Sequence, residues 1–74
     1  MDYIDRLIAM RIDHDLSQKT VASVLNKSQQ GYNHIEKRRA KLTIEDFMTL
    51  CEFYNTDPRY FLGYMQNHHP LRNK

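Results

Sequence analysis

The spacing of apolar residues along the chain predicts short helices rather than strands. Between residues 2 and 14 the apolar positions recur at intervals of three and four, as on one buried face of a helix. These positions are Ile4, Leu7, Ile8, Met10 and Ile12. Two glycines, two prolines and few runs of β-branched residues also favour helices joined by short turns. We therefore expect an all-α fold.

Two further helices follow with a very short connection between them. Ser17 is placed to cap a second helix over residues 18–25, because a serine oxygen accepts hydrogen bonds from the free N–H groups of a first turn. Asn26 follows where helix ends favour a residue that tolerates left-handed dihedrals. Ser28 is a second N-cap, opening a third helix over residues 29–37. This is helix-turn-helix spacing.

The third helix has a polar, nearly uncharged outer face. Tyr32 and Ile35 point inward at a spacing of three. The outward residues are Gln29, Gln30, Asn33 and His34. Gly31 costs up to ~1 kcal/mol of helix propensity relative to alanine. Close approach of another surface is one explanation for this glycine.

Two more helices complete the predicted fold. Thr43, with Asp46 three residues on, resembles a capping box at the start of a fourth helix. The apolar stripe of this helix is Ile44, Phe47, Leu50, Cys51 and Tyr54. Asp57 and Pro58 suit an N-cap and a first helical position, and Gly63 ends this short fifth helix.

Length and composition fit one small folded domain. A chain of 74 residues has room for a single core, and 41% hydrophobic with 27% charged residues is typical of a globular protein. We expect the domain to occupy residues 1–65 and a flexible tail to occupy residues 66–74. The apolar stretches are too short for a membrane span and the first residues lack a basic leader, so neither membrane insertion nor export is expected.

Metal, cofactor and catalytic sites are not indicated. Cys51 is the only cysteine, which excludes an intramolecular disulfide and favours a reducing, intracellular setting. His68 and His69 are adjacent in the expected tail without a nearby acid or cysteine, a poor metal site. Neither Cys51 nor Ser17 has a base at an established spacing, so we expect no enzyme activity and no cofactor.

Positive charge is concentrated in about one fifth of the chain. Residues 27–41 contain one acid, Glu36, and five basic residues, giving +4 where the whole chain carries +2. The basic residues are Lys27, Lys37, Arg38, Arg39 and Lys41. Charge alone leaves a solvated face and a polyanion site equally open.

Several short motifs occur in a recognisable order. They are Leu7-x-x-Met10-Arg11, Leu16-Ser17-Gln18-x-x-Val21-Ala22-x-x-Leu25, Ser28-Gln29-Gln30, Ile35-Glu36-Lys37 and a closing Pro-Arg-Tyr-Phe-Leu-Gly. Over residues 3–63 the chain thereby resembles the Xre/Cro/cI-type helix-turn-helix repressors of bacteria and their phages. The resemblance implies a compact five-helix, lambda-repressor-like domain. Its third helix would lie in the major groove and its second would cross the DNA backbone.

The resemblance also implies residue roles. The Ser-Gln-Gln start of the third helix is similar to that of certain lambdoid repressors whose glutamines contact bases, which makes Gln29 and Gln30 the leading base contacts. Asn33 and His34 are further candidates one turn on. A glutamine amide matches the donor and acceptor of the adenine edge. Two solvated glutamines are the alternative.

The expected contacts to the DNA backbone come from the start of the second helix and from the basic segment of residues 27–41. They are Gln18, Lys27, Ser28, Lys37, Arg38, Arg39 and Lys41. Arg11 and Glu36 resemble a family pair that ties the first helix to the end of the third. Asp15, Asn26 and Arg38 stand where the family usually has glycine, and aspartate and asparagine tolerate left-handed backbone better than other non-glycine residues.

These features together predict a sequence-specific transcriptional regulator whose partner is double-stranded DNA. We expect a repressor that binds a near-palindromic operator as a homodimer, bacterial or phage-encoded, located in the cytoplasm at the nucleoid and without a small-molecule substrate. The expected dimer surface is Tyr60, Phe61, Tyr64 and Met65, and the alternative is that these side chains fold back to cap the core of a monomer. The alternative is a protein-interaction module, such as the antitoxin of a toxin-antitoxin pair.

Overall fold

The computed structural model describes residues 2–67 and 69–71, whose regular secondary structure consists of helices and one isolated antiparallel bridge. The helices are α1 (Tyr3–Asp13), α2 (Gln18–Val24), α3 (Gln29–Glu36), α4 (Ile44–Phe53) and α5 (Pro58–Phe61). The prediction of an all-α, five-helix fold is confirmed. The first three predicted ranges are slightly longer because they include residues that cap the helices.

Each helix begins at a side chain that accepts a hydrogen bond from its first turn. The N-caps are Asp2, Ser17, Ser28, Thr43 and Asp57. At α4 the Thr43 hydroxyl oxygen accepts from the Asp46 N–H at 3.1 Å. The Asp46 carboxylate, which the capping box would direct to Thr43, lies 3.3 Å from the ammonium of Lys27.

The backbone is left-handed two residues after the end of each helix. These residues are Asp15, Asn26, Arg38, Asn55 and Gly63, with φ between 49° and 87°. The residue after each left-handed residue donates a backbone hydrogen bond to the carbonyl five residues earlier. Examples are the bonds from Leu16 to Arg11 and from Arg39 to His34. This is the Schellman motif. Asp15, Asn26 and Arg38 therefore keep the left-handed turn at positions where the family usually has glycine.

One apolar cluster holds the five helices together. Its members are Ile4, Leu7, Met10, Val21, Ala22, Leu25, Tyr32, Ile35, Phe47, Leu50, Cys51, Tyr54 and Phe61. Ile44 was expected in the buried stripe of α4 but is 65% exposed, since it is the first residue of that helix and lies at the rim of the core. None of the described helices is both long and apolar enough to cross a membrane.

The C-terminal aromatic residues do not form a single exposed surface. Phe61 is 1% exposed and packs between the rings of Phe47 and Tyr54, so its assignment to a dimer surface is corrected to the core. Tyr60 is half-buried against the core, with the guanidinium carbon of Arg6 5.0 Å from its ring centroid. Tyr64, by contrast, is 80% exposed.

Part of the segment expected to fray is hydrogen-bonded to the fold. The Asp57 N–H donates to the His69 carbonyl, and the Leu71 N–H donates to the Asn55 carbonyl, both at 3.0 Å. Thr56 and Pro70 form the antiparallel bridge between these bonds. Residues 69–71 thus lie along the connection between α4 and α5. Residues 68 and 72–74 of the expected tail lie outside the described residues.

Candidate nucleic-acid interface

The helix-turn-helix consists of α2, four connecting residues and α3. Val21 and Ala22 of α2 pack into the same core as Tyr32 and Ile35 of α3. Asn26, with a φ of 57°, reverses the chain between them. Because the apolar faces of both helices are used inside, the polar face of α3 is left to the surface.

The first turns of α2 and α3 border one open groove of about 420 Å³. Its lining residues are Gln18, Gln29, Gln30 and Asn33. The structure therefore brings three predicted base-contacting residues together with one predicted backbone contact. His34 is half-buried and is not part of this lining.

The start of α3 is fixed by Ser28. Its hydroxyl oxygen accepts from the Gly31 N–H at 3.0 Å, while the hydroxyl proton remains available as a donor. A Cβ on Gly31 would lie 3.2 Å from that same oxygen. Glycine at position 31 therefore avoids a tight contact with the N-cap residue of its own helix, which is not the approach of another surface that was expected.

A forked ion pair joins α1 to the end of α3, where the resemblance implies one. Arg11 Nε lies 2.7 Å from Glu36 Oε2 and Nη2 lies 3.1 Å from Oε1, while Nη1 donates to the Leu16 carbonyl at 2.9 Å. Burial raises the pKa of the Glu36 carboxyl, but hydrogen bonds from Arg11, Tyr32 and Gln18 outweigh it and leave this pKa below its ordinary value. Glu36 is therefore an anion at neutral pH.

Gln18 belongs to the same network. Its Nε2 donates to Glu36 Oε1 at 2.9 Å and to Asn33 Oδ1 at 3.0 Å, which uses both hydrogens of the amide. A phosphate contact by this amide, as the sequence analysis predicts, requires it to leave one of those partners. This role could not be predicted from the sequence, because the partners are 15 and 18 residues away.

Two of the predicted phosphate-binding cations are paired within the protein. Arg38 Nη2 lies 2.7 Å from Asp2 Oδ1 and 2.7 Å from Asp5 Oδ1, and the hydrogen bond from Arg38 lowers the pKa of the Asp2 carboxyl. Lys27 is the second, paired with Asp46. Both arrangements depend on acids from helices distant in sequence.

The remaining three cations are Lys37, Arg39 and Lys41. They are exposed and have no ion pair within residues 2–67 and 69–71. They lie directly after α3, between its end and the start of α4. Long cationic side chains at that place are free to neutralise phosphates beside a groove occupied by α3. The part of the chain that the structure describes contains no cluster of three or more histidine, cysteine or acidic residues suited to a metal ion.

In the described residues α3 packs against α2, presents a polar outer face and is followed by three cations without an ion pair, which is the arrangement of a DNA-binding helix-turn-helix domain. The sequence model of the helix-turn-helix family matches residues 7–61, and the chain belongs to this Xre/cI-like family. Its members are DNA-binding transcription regulators and typically not enzymes. No curated protein and no solved structure matches the chain.

Proposed function

We propose that this protein is a sequence-specific repressor that binds a near-palindromic operator as a homodimer. The observation that carries the proposal is the groove of polar amides at the start of α3. Gln29 and Gln30 are exposed on the first turn of that helix, where a recognition helix meets base edges. A glutamine that pairs with both N6 and N7 of adenine discriminates that base by about 1–3 kcal/mol.

Phosphate contacts position this helix. The structure favours Lys37, Arg39 and Lys41 for this role because their charges are not paired with described acids. Each phosphate that they neutralise releases counterions, which makes affinity fall with salt. Lys27 and Arg38 join them only by giving up their carboxylate partners.

Dimerisation supplies the specificity that one helix lacks. A single recognition helix reads a few base pairs, whereas a genome offers ~10⁶ or more competing sites. Tyr64 is the most exposed large apolar side chain described, and it supports a self-complementary surface with Met65 and the outer edge of Tyr60. A bound dimer would repress by occupying a promoter on the DNA of the bacterial cytoplasm.

Selection of bound duplexes from a random pool tests the proposal. The expected result is one consensus with two inverted half-sites, whose centres lie about 34 Å or one helical turn apart. Retention of all sequences equally would overturn sequence-specific binding. A single, unrepeated half-site with one protein copy would overturn the dimer.

A second candidate function, a protein-interaction module such as an antitoxin, is favoured by a separate apolar groove of about 230 Å³. It is lined by Tyr3, Leu42, Thr43, Ile44, Phe47 and Leu62. Ile44 and Leu62 are 65% and 51% exposed. A salt-dependent gel shift with genomic fragments, run beside a pull-down from lysate, separates the two functions. A stoichiometric protein partner without any DNA retention would favour the module.

A further inference from the structure

We propose that Asn33 reads its base as a hydrogen-bond donor only, because a chain of hydrogen bonds that begins at Arg11 fixes which end of its amide faces the groove. The proposal rests on the proposed function, since it assigns the base edge that one residue of the DNA-binding groove recognises.

The first link sets the charge of Glu36. Arg11 presents two N–H groups to this carboxylate, at 2.7 and 3.1 Å, and the carboxylate is 8% exposed. A buried carboxylate held by a guanidinium stays ionised, and an ionised carboxylate only accepts hydrogen bonds. Every polar atom that faces Glu36 must therefore be a donor.

The second link orients Gln18. Its terminal amide lies 2.9 Å from Glu36 Oε1, so the atom facing this oxygen has to be the nitrogen. A flipped amide would place two oxygens against each other. The same nitrogen has a second hydrogen, directed at the Asn33 amide at 3.0 Å.

The third link orients Asn33. Because Gln18 offers it an N–H, the Asn33 atom on that side must be the oxygen. The NH₂ group, with two hydrogens, is the part of the amide left for a ligand in the groove that Asn33 lines. Gln29 and Gln30 differ, since neither side chain is hydrogen-bonded to residues 2–67 or 69–71 in the structure, and both amides are free to turn.

A fixed NH₂ group selects among bases. Guanine offers two acceptors on its major-groove edge, O6 and N7, and thymine offers O4. Cytosine presents an amino donor, which an NH₂ group meets unfavourably. Adenine needs a donor and an acceptor side by side for the paired contact that an amide makes, and the Asn33 oxygen is held towards Gln18 rather than free to turn to the base. Asn33 is therefore expected to prefer guanine, then thymine, and to reject cytosine.

Binding selection with matched variants tests this inference. The wild-type consensus should contain one position per half-site that prefers guanine or thymine and loses its preference in Asn33→Ala. Single-base duplexes at this position should differ in Kd between guanine and cytosine by roughly 5-fold to 150-fold, the discrimination of a good base contact. In Asn33→Asp, where both side-chain oxygens accept, the preference should change from guanine to cytosine.

Gln18→Met is the control that interrupts the chain of hydrogen bonds between Glu36 and Asn33. It keeps the length of the side chain but frees the Asn33 amide to flip, so adenine should become acceptable at the same position. If Gln18→Met does not fold, the Asn33→Asp change decides alone. A wild-type preference for adenine over guanine at the position controlled by Asn33 would overturn the inference, as would an Asn33→Ala consensus identical to the wild-type one. In both cases a consensus exists and the proposed function stands; a wild type that selects no sequence defeats the proposed function itself.

Discussion

Replacing Arg11 with methionine removes the cation beside Glu36 but keeps a long side chain over the core. The pair is well shielded, with 15% of the Arg11 side chain and 8% of the Glu36 side chain exposed. Removing one member of a buried pair costs about 3–5 kcal/mol, because the other charge is left without its partner. A chain of 74 residues has a total free energy of unfolding of roughly 4–11 kcal/mol. Arg11→Met should therefore remove a large fraction of the stability.

The pH dependence of this loss has a definite sign. In the wild type the folded pKa of Glu36 lies below its ordinary value of 4.5, so its stabilising effect is present above that value and is lost as pH falls through the folded pKa. In Arg11→Met, burial without the guanidinium should raise the folded pKa above the unfolded one. The penalty should then be largest at neutral pH and shrink on acidification, as Glu36 becomes protonated.

Urea unfolding followed by circular dichroism at about pH 7 and about pH 5 measures both effects. Addition of Glu36→Gln to the Arg11→Met variant removes the stranded charge and should restore part of the stability at about pH 7. A cost of Arg11→Met below about 1 kcal/mol, or an equal cost at the two pH values, would contradict the stabilising role of the Arg11–Glu36 pair.

Three further predictions concern the cations, the dimer and the thiol. Arg39→Ala should lower the slope of log affinity against log salt by about 0.9, whereas Arg38→Ala should leave it unchanged because Arg38 is paired with Asp2 and Asp5. Equal slopes for the two variants in anisotropy titrations would contradict this difference between the two arginines. Tyr64→Glu should weaken dimerisation without unfolding the domain, and sedimentation showing an unaltered dimer would exclude this surface. Burial raises the pKa of the Cys51 thiol to about 11, so it should react with a thiol reagent only after unfolding; fast reaction of the folded protein would disprove its burial.

Features set by neighbouring residues could be predicted from the sequence. The caps at Ser17, Ser28 and Thr43 bond to N–H groups three residues away, so a short window contains both partners. The left-handed residues at Asp15 and Asn26 are likewise fixed by the ends of their own helices.

Features that depend on packing could not be predicted in this way. Arg38 bonds to Asp2 and Gln18 bonds to Glu36 across 36 and 18 residues, and only the folded arrangement brings them together. Whether Phe61 lies at the dimer surface or in the core could not be decided from the sequence, for a related reason. A helix of four residues is little more than one turn, so its apolar spacing does not show which aromatic side chain faces the core.

Reading of base sequence by α3 is tested most directly with the double variant Gln29→Ala/Gln30→Ala. Its affinity for the selected duplex and for a scrambled duplex is measured by fluorescence anisotropy at one salt concentration. Wild-type protein should bind the selected duplex roughly 10³-fold or more tightly than the scrambled one. In the variant this ratio of affinities should be at least about tenfold smaller. Affinity for the scrambled duplex should change little, because phosphate contacts remain. An equal loss on both duplexes would contradict base reading by these residues.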